Sequence, residues 1–239
     1  MANISIYYRN MNKKTGIIVG AAPIGSEAAL LINELNKDEN HYTVAADGGI
    51  EFFYNQNICP DMWLGDMDSA KESLDINKVM IKWPNVINKP CSPIKDYTDM
   101  ELAIEDALSN NCTHIKLFGC LGGKRLSHTL ANIQLMAKYY KKGIRIEMFG
   151  ENIHVFLIAD GDKIDYEEGL SGMVSVLALD TTVENVDIKG LYYEYSGDLT
   201  NDWALGVSNE LTGKAASISV RKGIVVIIEE FVHNKQCDK

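Results

Sequence analysis

The feature that most constrains the fold is a change of hydrophobic pattern partway along the chain. Up to about residue 150, short apolar runs alternate with segments of helical periodicity. Beyond about residue 153 the runs remain short and β-rich, turns of Gly, Asp or Asn separate them, and no helical pattern intervenes. The first pattern is typical of a mostly parallel sheet flanked by helices, and the second of a small antiparallel sandwich or barrel. We therefore predict an α/β domain over residues 1–152 and a β domain over residues 153–239.

The apolar runs and helical patterns of the first region locate its elements. Strands are predicted at residues 16–23, 42–47, 61–66, 79–83, 114–120 and 144–150, and helices at 26–37, 98–110 and 126–143. Thr98 and Glu101 form a capping-box pattern at the start of the second helix. The third helix carries an apolar stripe that we expect to pack against the sheet, formed by Leu126, Leu130, Ile133, Ala137 and Tyr140.

Charge and cysteine content narrow the class of protein. The formal net charge of −10 argues against nucleic acid and anionic membranes as partners, but a nucleotide can still bind through a divalent cation. The five cysteines are odd in number and contain no C-x-x-C pair, which favours a reduced compartment. The chain start has no long apolar stretch, and no apolar run approaches the ~20 residues of a membrane helix. We expect a cytoplasmic protein without membrane partners.

Aspartates follow three of the strand-like segments, at or near the points where helices begin. Asp47 ends the second strand, Asp66 and Asp68 follow the third, and Asp96 and Asp99 lie at the start of the second helix. In an open parallel sheet the loops that leave the carboxyl ends of the strands line the ligand crevice, so these five side chains have a common meeting point.

Two explanations of these aspartates remain open from the residues alone. Each aspartate taken singly is also typical of a plain turn or helix cap. As a group, however, like charges at one sheet edge repel one another unless a cation neutralises them. Mg²⁺ binds through a few carboxylates, keeps several waters and bridges to phosphates. We therefore predict a magnesium site at this edge.

A glycine-rich segment, "FGCLGGKRLSHTLAN" at residues 118–132, joins the fifth strand to the third helix. Its glycines allow backbone amides to approach an anion, and a helix N-terminus favours negative charge. Arg125, His128 and Asn132 share one helix face and would form a phosphate-binding wall, although such a polar face is often only solvated surface. Neither a Walker A motif nor G-x-G-x-x-G is present.

Six segments in order along the chain resemble blocks of the thiamine pyrophosphokinase (thiamine diphosphokinase) family. They are "ADGG" (46–49), "PDMWLGDMDS" (60–69), "KDYTDMELA" (95–103), "FGCLGGKRLSHTLANI" (118–133), "GLYY" (190–193) and "GVSNE" (206–210). The resemblance implies an N-terminal α/β domain that binds ATP and Mg²⁺, and a C-terminal antiparallel β-sandwich for thiamine binding and dimerisation. It also implies a homodimer that transfers a pyrophosphoryl group from ATP to the thiamine hydroxyl, giving thiamine diphosphate and AMP.

The resemblance also implies roles for individual residues. Asp66, Asp68 and Asp96 would bind Mg²⁺, and together with Asp47 and Asp99 they would form the catalytic set, one of which could accept the hydroxyl proton. The ATP-binding residues would be Gly48, Gly49, Lys95, Thr98, Gly122, Gly123, Arg125, His128 and Asn132. Tyr193, Ser208 and Asn209 would line the thiamine pocket. If 190–195 is a strand, Tyr193 points away from Tyr192 and Tyr195, and Trp203 is a second aromatic candidate.

One departure keeps other functions open. This chain has Ser127 where the family usually has an aspartate before the histidine of the Gly-Gly block. A related pyrophosphokinase acting on a pterin-like alcohol would use the same metal site with a different pocket. A catalytically impaired module that binds nucleotide or thiamine without turnover is the non-enzymatic alternative. The β domain and the "GVSNE" block favour thiamine, and the number of acids favours turnover.

Overall fold

The structure is a computed structural model that describes residues 14–65, 74–90, 96–123 and 125–230. These residues form two compact units, 14–151 and 152–230. The first unit contains a parallel sheet with helices, and the second contains antiparallel strands, as predicted from the change of pattern.

The α/β unit alternates strands and helices along the chain. Its elements are β1 (Thr15–Val19), α1 (Ser26–Leu35), β2 (His41–Ala46), a 3-10 turn (Asp47–Gly49), α2 (Ile50–Gln56), β3 (Met62–Gly65), α3 (Ile76–Lys82), β4 (Ile87–Pro90), α4 (Asp99–Ser109), β5 (His114–Phe118), α5 (Leu126–Tyr140) and β6 (Arg145–Phe149). All pairings in this unit are parallel, in the spatial order β6-β5-β1-β2-β3-β4.

The strand order creates a switch point beside β1. The chain runs outward from β1 to β4 on one side and then returns to place β5 and β6 on the other side. Consequently β1 and β5 are adjacent, and the loops that leave their carboxyl ends lead to helices on opposite faces of the sheet. Open α/β sheets bind ligands at such a point.

Buried apolar side chains fill both faces of this sheet. On one face, strand residues such as Ile17, Trp63 and Phe118 pack with α1, α2 and α3. On the other face α4 contacts β1, β2 and β3. A Cβ added to Gly16 would lie 3.1 Å from Ala107 Cβ, so α4 and β1 approach too closely there for a larger side chain.

The strand predicted at residues 79–83 is wrong, because these residues lie in and directly after helix α3. Asp75 caps this helix by accepting a hydrogen bond from Asn77 N at 2.9 Å. Ile76, Val79, Met80 and Trp83 pack against the core at helical spacing. The next strand along the chain is instead β4, with the sequence "INKP". It lies at the edge of the sheet, where Ile87 is 59% exposed, so it does not need the apolar run of a buried strand.

The apolar stripe predicted for the third helix is wrong at its start, whereas Ile133, Ala137 and Tyr140 are half-buried. Leu126 is 71% exposed and Leu130 55% exposed. The buried face of α5 is formed by Asn132, Leu135, Met136 and Tyr139. These four residues have the i, i+3, i+4, i+7 spacing of a buried helix face, but the first of them, Asn132, is polar. The apolar pattern therefore predicted the neighbouring face instead.

The second unit is a β-sandwich of two antiparallel sheets. Its strands are β7 (Ile153–Ala159), β8 (Lys163–Tyr166), β9 (Ser171–Ala178), β10 (Thr182–Lys189), β11 (Tyr195–Thr200), β12 (Asn209–Thr212), β13 (Ala216–Lys222) and β14 (Ile224–Glu230). Within the unit the orders are β12-β9-β14-β7 and β11-β10-β13-β8. One apolar core joins them, since alternating residues such as Val174, Ile218 and Val225 are buried together.

Across the described ranges, no helix combines the length and apolar character that crossing a membrane would require.

Candidate functional site

The carboxyl edge of the parallel sheet places Asp47 directly after β2. Its backbone has φ 51°, in the left-handed region that non-glycine residues seldom adopt. Its carbonyl accepts a hydrogen bond of 3.1 Å from the Trp63 indole N–H. A Cβ added to Gly65 would lie 2.9 Å from Asp47 Cα, so a residue with a side chain at Gly65 would displace one of the two loops. The ends of β2 and β3 are therefore fixed against each other.

Gly49, two residues after Asp47, has a packing role at this edge. A Cβ at Gly49 would lie 1.9 Å from the Val19 carbonyl oxygen, which leaves no space for any other residue. This contact brings the turn after β2 against the end of β1. Gly48, the other predicted ATP-binding glycine of this turn, is half-buried.

The remaining acids fall into two groups. Asp66, Asp68 and also Lys95 lie outside the described residues, so their predicted roles stay predictions. Asp96 is exposed, and the half-buried Asp99 is the first residue of α4. Thr98 caps this helix by accepting a hydrogen bond from Glu101 N at 3.1 Å, as the capping-box pattern predicted.

A magnesium site cannot be built from the described residues by themselves. Among residues 14–65, 74–90, 96–123 and 125–230, no group of three or more His, Cys, Asp or Glu is placed to hold a metal. Of the three predicted ligands, Asp96 is the one in these ranges. Its exposed carboxylate has the donor chemistry that Mg²⁺ prefers.

The glycine loop, which we define as residues 119–123, follows β5 at the switch point. Gly119, Gly122 and Gly123 have φ of 57°, 70° and 80°, so the backbone of this loop favours glycine at three positions. A backbone hydrogen bond from Ala22 N to the Gly119 carbonyl (3.0 Å) joins it to the loop after β1, and a second, from Gly20 N to the carbonyl of Phe118 at the end of β5 (2.8 Å), lies beside the first.

Arg125 and His128 lie together at the start of α5, which follows the glycine loop. The Arg125 guanidinium Nη1 lies 3.1 Å from His128 Nε2, within hydrogen-bond distance. Both side chains are exposed, as is Ser127 in the same helical turn. Of the three residues predicted to form a phosphate-binding wall, Arg125 and His128 thus lie together and are open to solvent, whereas Asn132 is buried.

Asn132 lies on the buried face of α5, whereas Arg125 and His128 are exposed. It is 5% exposed, and its Nδ2 donates to the Cys120 carbonyl at 2.9 Å. Thr129 Oγ1 accepts a hydrogen bond from Gly122 N at 3.1 Å. Sequence reasoning overlooked Thr129, although its spacing of three residues from Asn132 places it on the same side of the helix.

Polar contacts connect helices α4 and α5. Lys138 pairs with the buried Glu101, and the Tyr139 hydroxyl donates to Glu105 Oε1 at 2.6 Å. Burial, followed by this hydrogen bond to a carboxylate, raises the pKa of Tyr139, so the hydroxyl stays a donor. A groove of about 360 Å³ opens between the helices, lined by Thr98, Glu101, Ala131, Gln134, Leu135 and Lys138.

The three residues predicted to line a thiamine pocket lie close together in the β unit. The Asn209 side chain is buried and binds both backbone groups of Tyr193, at 2.9 Å to the N–H and 2.7 Å to the carbonyl. This bracing leaves the Tyr193 ring 65% exposed. Ser208, directly before Asn209, has φ 58°, and its N–H donates to Ser175 Oγ at 3.0 Å.

The expected strand alternation of the tyrosines is wrong. Tyr192 and Tyr193 lie in a bend before β11, both are exposed, and their rings meet edge to face at 4.8 Å. Asn209 holds this bend, which the alternating pattern of the sequence did not indicate. Trp203 is half exposed, and its ring packs edge to face with the Tyr195 ring, with 6.3 Å between the ring centroids.

Comparison with known families matches both units. A family model described as the catalytic domain of thiamin pyrophosphokinase matches residues 34–148. A second model, described as the vitamin B1 binding domain of thiamin pyrophosphokinase, matches residues 163–225. A curated thiamine pyrophosphokinase from Bacillus subtilis (strain 168) is 27% identical over 192 residues, which cover 80% of this chain and 88% of the relative.

Solved structures show the same architecture. The crystal structure of thiamine pyrophosphokinase from Bacillus subtilis superposes with a TM-score of 0.77 at 26% identity, covering 92% of this chain and 100% of that one. The crystal structure of yeast thiamin pyrophosphokinase gives a TM-score of 0.76 at 15% identity, covering 96% of this chain and 90% of that one. At the latter identity the likeness shows the fold alone.

Proposed function

The chain belongs to the thiamin pyrophosphokinase family, and on this premise we propose that it transfers a pyrophosphoryl group from ATP to the hydroxyl of thiamine, giving thiamine diphosphate and AMP. The observation that carries this proposal is the match of both units, one to the family's catalytic domain and the other to its vitamin B1 binding domain. A chain that had kept only the nucleotide site would match the first alone.

The geometry of the α/β unit supports the nucleotide half of this reaction. The glycine loop lies at the switch point, and the exposed Arg125 begins the helix after it. Asp47 ends β2, and Asp96 precedes the helix that follows β4. Carboxylates and a guanidinium near one sheet edge suit a reaction in which positioning and charge neutralisation contribute most of the rate.

We infer that the reaction requires Mg²⁺, held by Asp66, Asp68 and Asp96. Bound there, the ion would neutralise phosphate charge and bridge the phosphates to the protein. Asp47 and Asp99 would complete the acidic set, and one of the five carboxylates would accept the proton of the thiamine hydroxyl as the oxygen attacks. Lys95, Arg125 and His128 would face the nucleotide phosphates, with Thr98 and the glycines of the two loops beside them.

Thiamine would bind through the β unit. Its thiazolium ring is a cation, and an exposed tyrosine face attracts cations. The Tyr193 ring, braced by Asn209 and 65% exposed, supports this assignment. Ser208 and Asn209 would border the same pocket. A homodimer and a cytoplasmic location remain predictions, the former to be measured by light scattering after gel filtration.

A steady-state assay separates this proposal from its alternatives. The purified chain would be incubated with ATP, Mg²⁺ and thiamine, and AMP and thiamine diphosphate would be quantified together. We expect the two products in equal amounts, and no AMP formation above background when thiamine is omitted. Turnover with a pterin-like alcohol but not with thiamine would favour the related pyrophosphokinase, and binding of both substrates without AMP would favour the impaired module.

A further inference from the structure

We propose that Thr129 and Asn132 are positioning residues that hold the glycine loop in its phosphate-binding conformation. This inference rests on the proposed function for its consequence, but its geometry can be tested without substrate. Both residues lie on α5, the helix that follows the loop, and are three positions apart. The helix therefore carries the side chains that shape the loop in front of it.

The loop needs such support because its residues provide little of their own. Three glycines in left-handed conformations have many alternatives, so ordering them costs conformational entropy. A Cβ added to Gly122 would meet none of the described atoms within 4 Å, so no side chain packs over this position. Hydrogen bonds are the contacts that hold this position.

Two of these hydrogen bonds come from α5. Asn132 Nδ2 donates to the Cys120 carbonyl at 2.9 Å, and both residues are buried, so the bond is shielded from water. Thr129 Oγ1 accepts from Gly122 N at 3.1 Å, two residues farther along the loop. A third bond, from Ala22 N to the Gly119 carbonyl, fixes the start of the loop.

The bond to Thr129 determines which loop amides can face a phosphate. Because Gly122 N already donates to Thr129, it is not available as a donor to the nucleotide. Gly122 would then contribute its backbone conformation rather than a hydrogen bond, leaving other amides and the Arg125 guanidinium to make the contacts. Loss of Thr129 Oγ1 would release the Gly122 amide and broaden the range of loop conformations.

The test compares Thr129→Val and Thr129→Ala with Thr129→Ser. Valine is nearly isosteric with threonine, and alanine favours the helix, so at least one of these variants should fold without the hydroxyl. Both should raise the KM for ATP about fivefold, the equivalent of one hydrogen bond, with the KM for thiamine unchanged. Thr129→Ser keeps the acceptor and should retain wild-type values.

A second readout needs no substrate. Hydrogen exchange of the Gly122 amide, followed by NMR, should accelerate in the valine and alanine variants but not in the serine variant. Ser109→Ala is the matched control, since the Ser109 hydroxyl donates to the Glu105 carbonyl within α4. This control should alter neither the Gly122 exchange nor the KM for ATP.

The outcomes distinguish this inference from the proposed function. Unchanged Gly122 exchange in Thr129→Val and Thr129→Ala would overturn the positioning role, whatever the wild-type activity. If the KM rose equally for ATP and for thiamine while the Tm fell, the variants would be generally destabilised. That result would also overturn the positioning role. A wild-type chain without AMP formation would contradict the proposed function, while accelerated exchange in the variants would still confirm the restraint by Thr129.

Discussion

Asp96 and Asp47 occupy different environments at the carboxyl edge of the sheet. Asp47 is half-buried, with a left-handed backbone and a carbonyl bound by Trp63. Asp96 is exposed and precedes the capped start of α4. Because the Asp96 side chain is exposed, its substitution should disturb the fold less than substitution of Asp47. A change in kcat on substitution of Asp96 can therefore be assigned to the reaction itself.

Asp96→Asn should lower kcat by about two orders of magnitude or more, because the amide cannot supply a charged oxygen to a metal or a developing positive site. The Tm should stay within a few degrees of the wild type. Steady-state kinetics and thermal unfolding measure the two quantities. Asp165→Asn is the matched control, as Asp165 is an exposed residue of the β unit that pairs with Lys163; a comparable loss of kcat in both variants would contradict a specific role for Asp96.

The Cys120 thiol should make stability depend on alkaline pH. Burial raises its pKa from an ordinary value near 9 to about 12. Between these values the unfolded chain loses the thiol proton while the folded chain keeps it, so the free energy of unfolding falls as pH rises. The thiol's contribution to the free energy of unfolding is complete below about pH 9. Between the two pKa values it falls by at most ~1.4 kcal/mol for each pH unit.

Urea unfolding between pH 8 and pH 11 measures this dependence. Cys120→Ala removes the titrating group, so its free energy of unfolding should fall less steeply with pH than that of the wild type, even if it is lower at every pH. Identical slopes for the two proteins would show that other groups account for the alkaline loss.

At the scale of elements, sequence patterns located most of the fold but failed where one residue interrupted a period. The strands β1, β2, β3, β5 and β6 and the helices α1, α4 and α5 were predicted close to their observed bounds. Helices α2 and α3 were not predicted. At α3, the five-residue segment beginning at Val79 excludes Ile76, which completes the helical face. On α5, Asn132 is buried because the Cys120 carbonyl satisfies its amide, a tertiary contact that no local pattern contains.

The correction at α3 can be tested through its cap. Asp75→Ala should lower the free energy of unfolding by about 1 kcal/mol, because the N–H of Asn77 loses its acceptor. Asp75→Asn keeps a capping oxygen and should lie close to the wild type. Urea denaturation gives both values, and if Asp75→Ala were as stable as Asp75→Asn, the cap would not contribute to the helix.

At the scale of the whole molecule, the two units have different chemistry. Strand order could not be predicted from the sequence, because apolar runs indicate that strands exist but not which ones are neighbours. The switch point between β1 and β5 therefore came from the structure alone, whereas the glycine loop was already a candidate phosphate site from its residues. The acid set and the Tyr193 region, by contrast, were identified from residue types and the family resemblance.

This division predicts opposite effects from two substitutions. Arg125→Ala should raise the KM for ATP about tenfold and change the KM for thiamine little, because it removes a cation from the helix that follows the glycine loop. Tyr193→Ala should do the reverse, and Tyr193→Phe should retain thiamine binding through its ring face. Arg221→Ala, which removes an exposed arginine paired with Glu184, is the control for Arg125. Equal effects of Arg125→Ala on both substrates would contradict its placement.

The most direct test of the account is a crystal structure with a non-hydrolysable ATP analogue and Mn²⁺, which replaces Mg²⁺ and gives an anomalous signal. We predict an anomalous peak within bonding distance of the Asp66, Asp68 and Asp96 carboxylates, with phosphates bound between this metal and the glycine loop. A metal held by other residues, or a nucleotide bound away from the carboxyl ends of β1 to β5, would contradict the central claim.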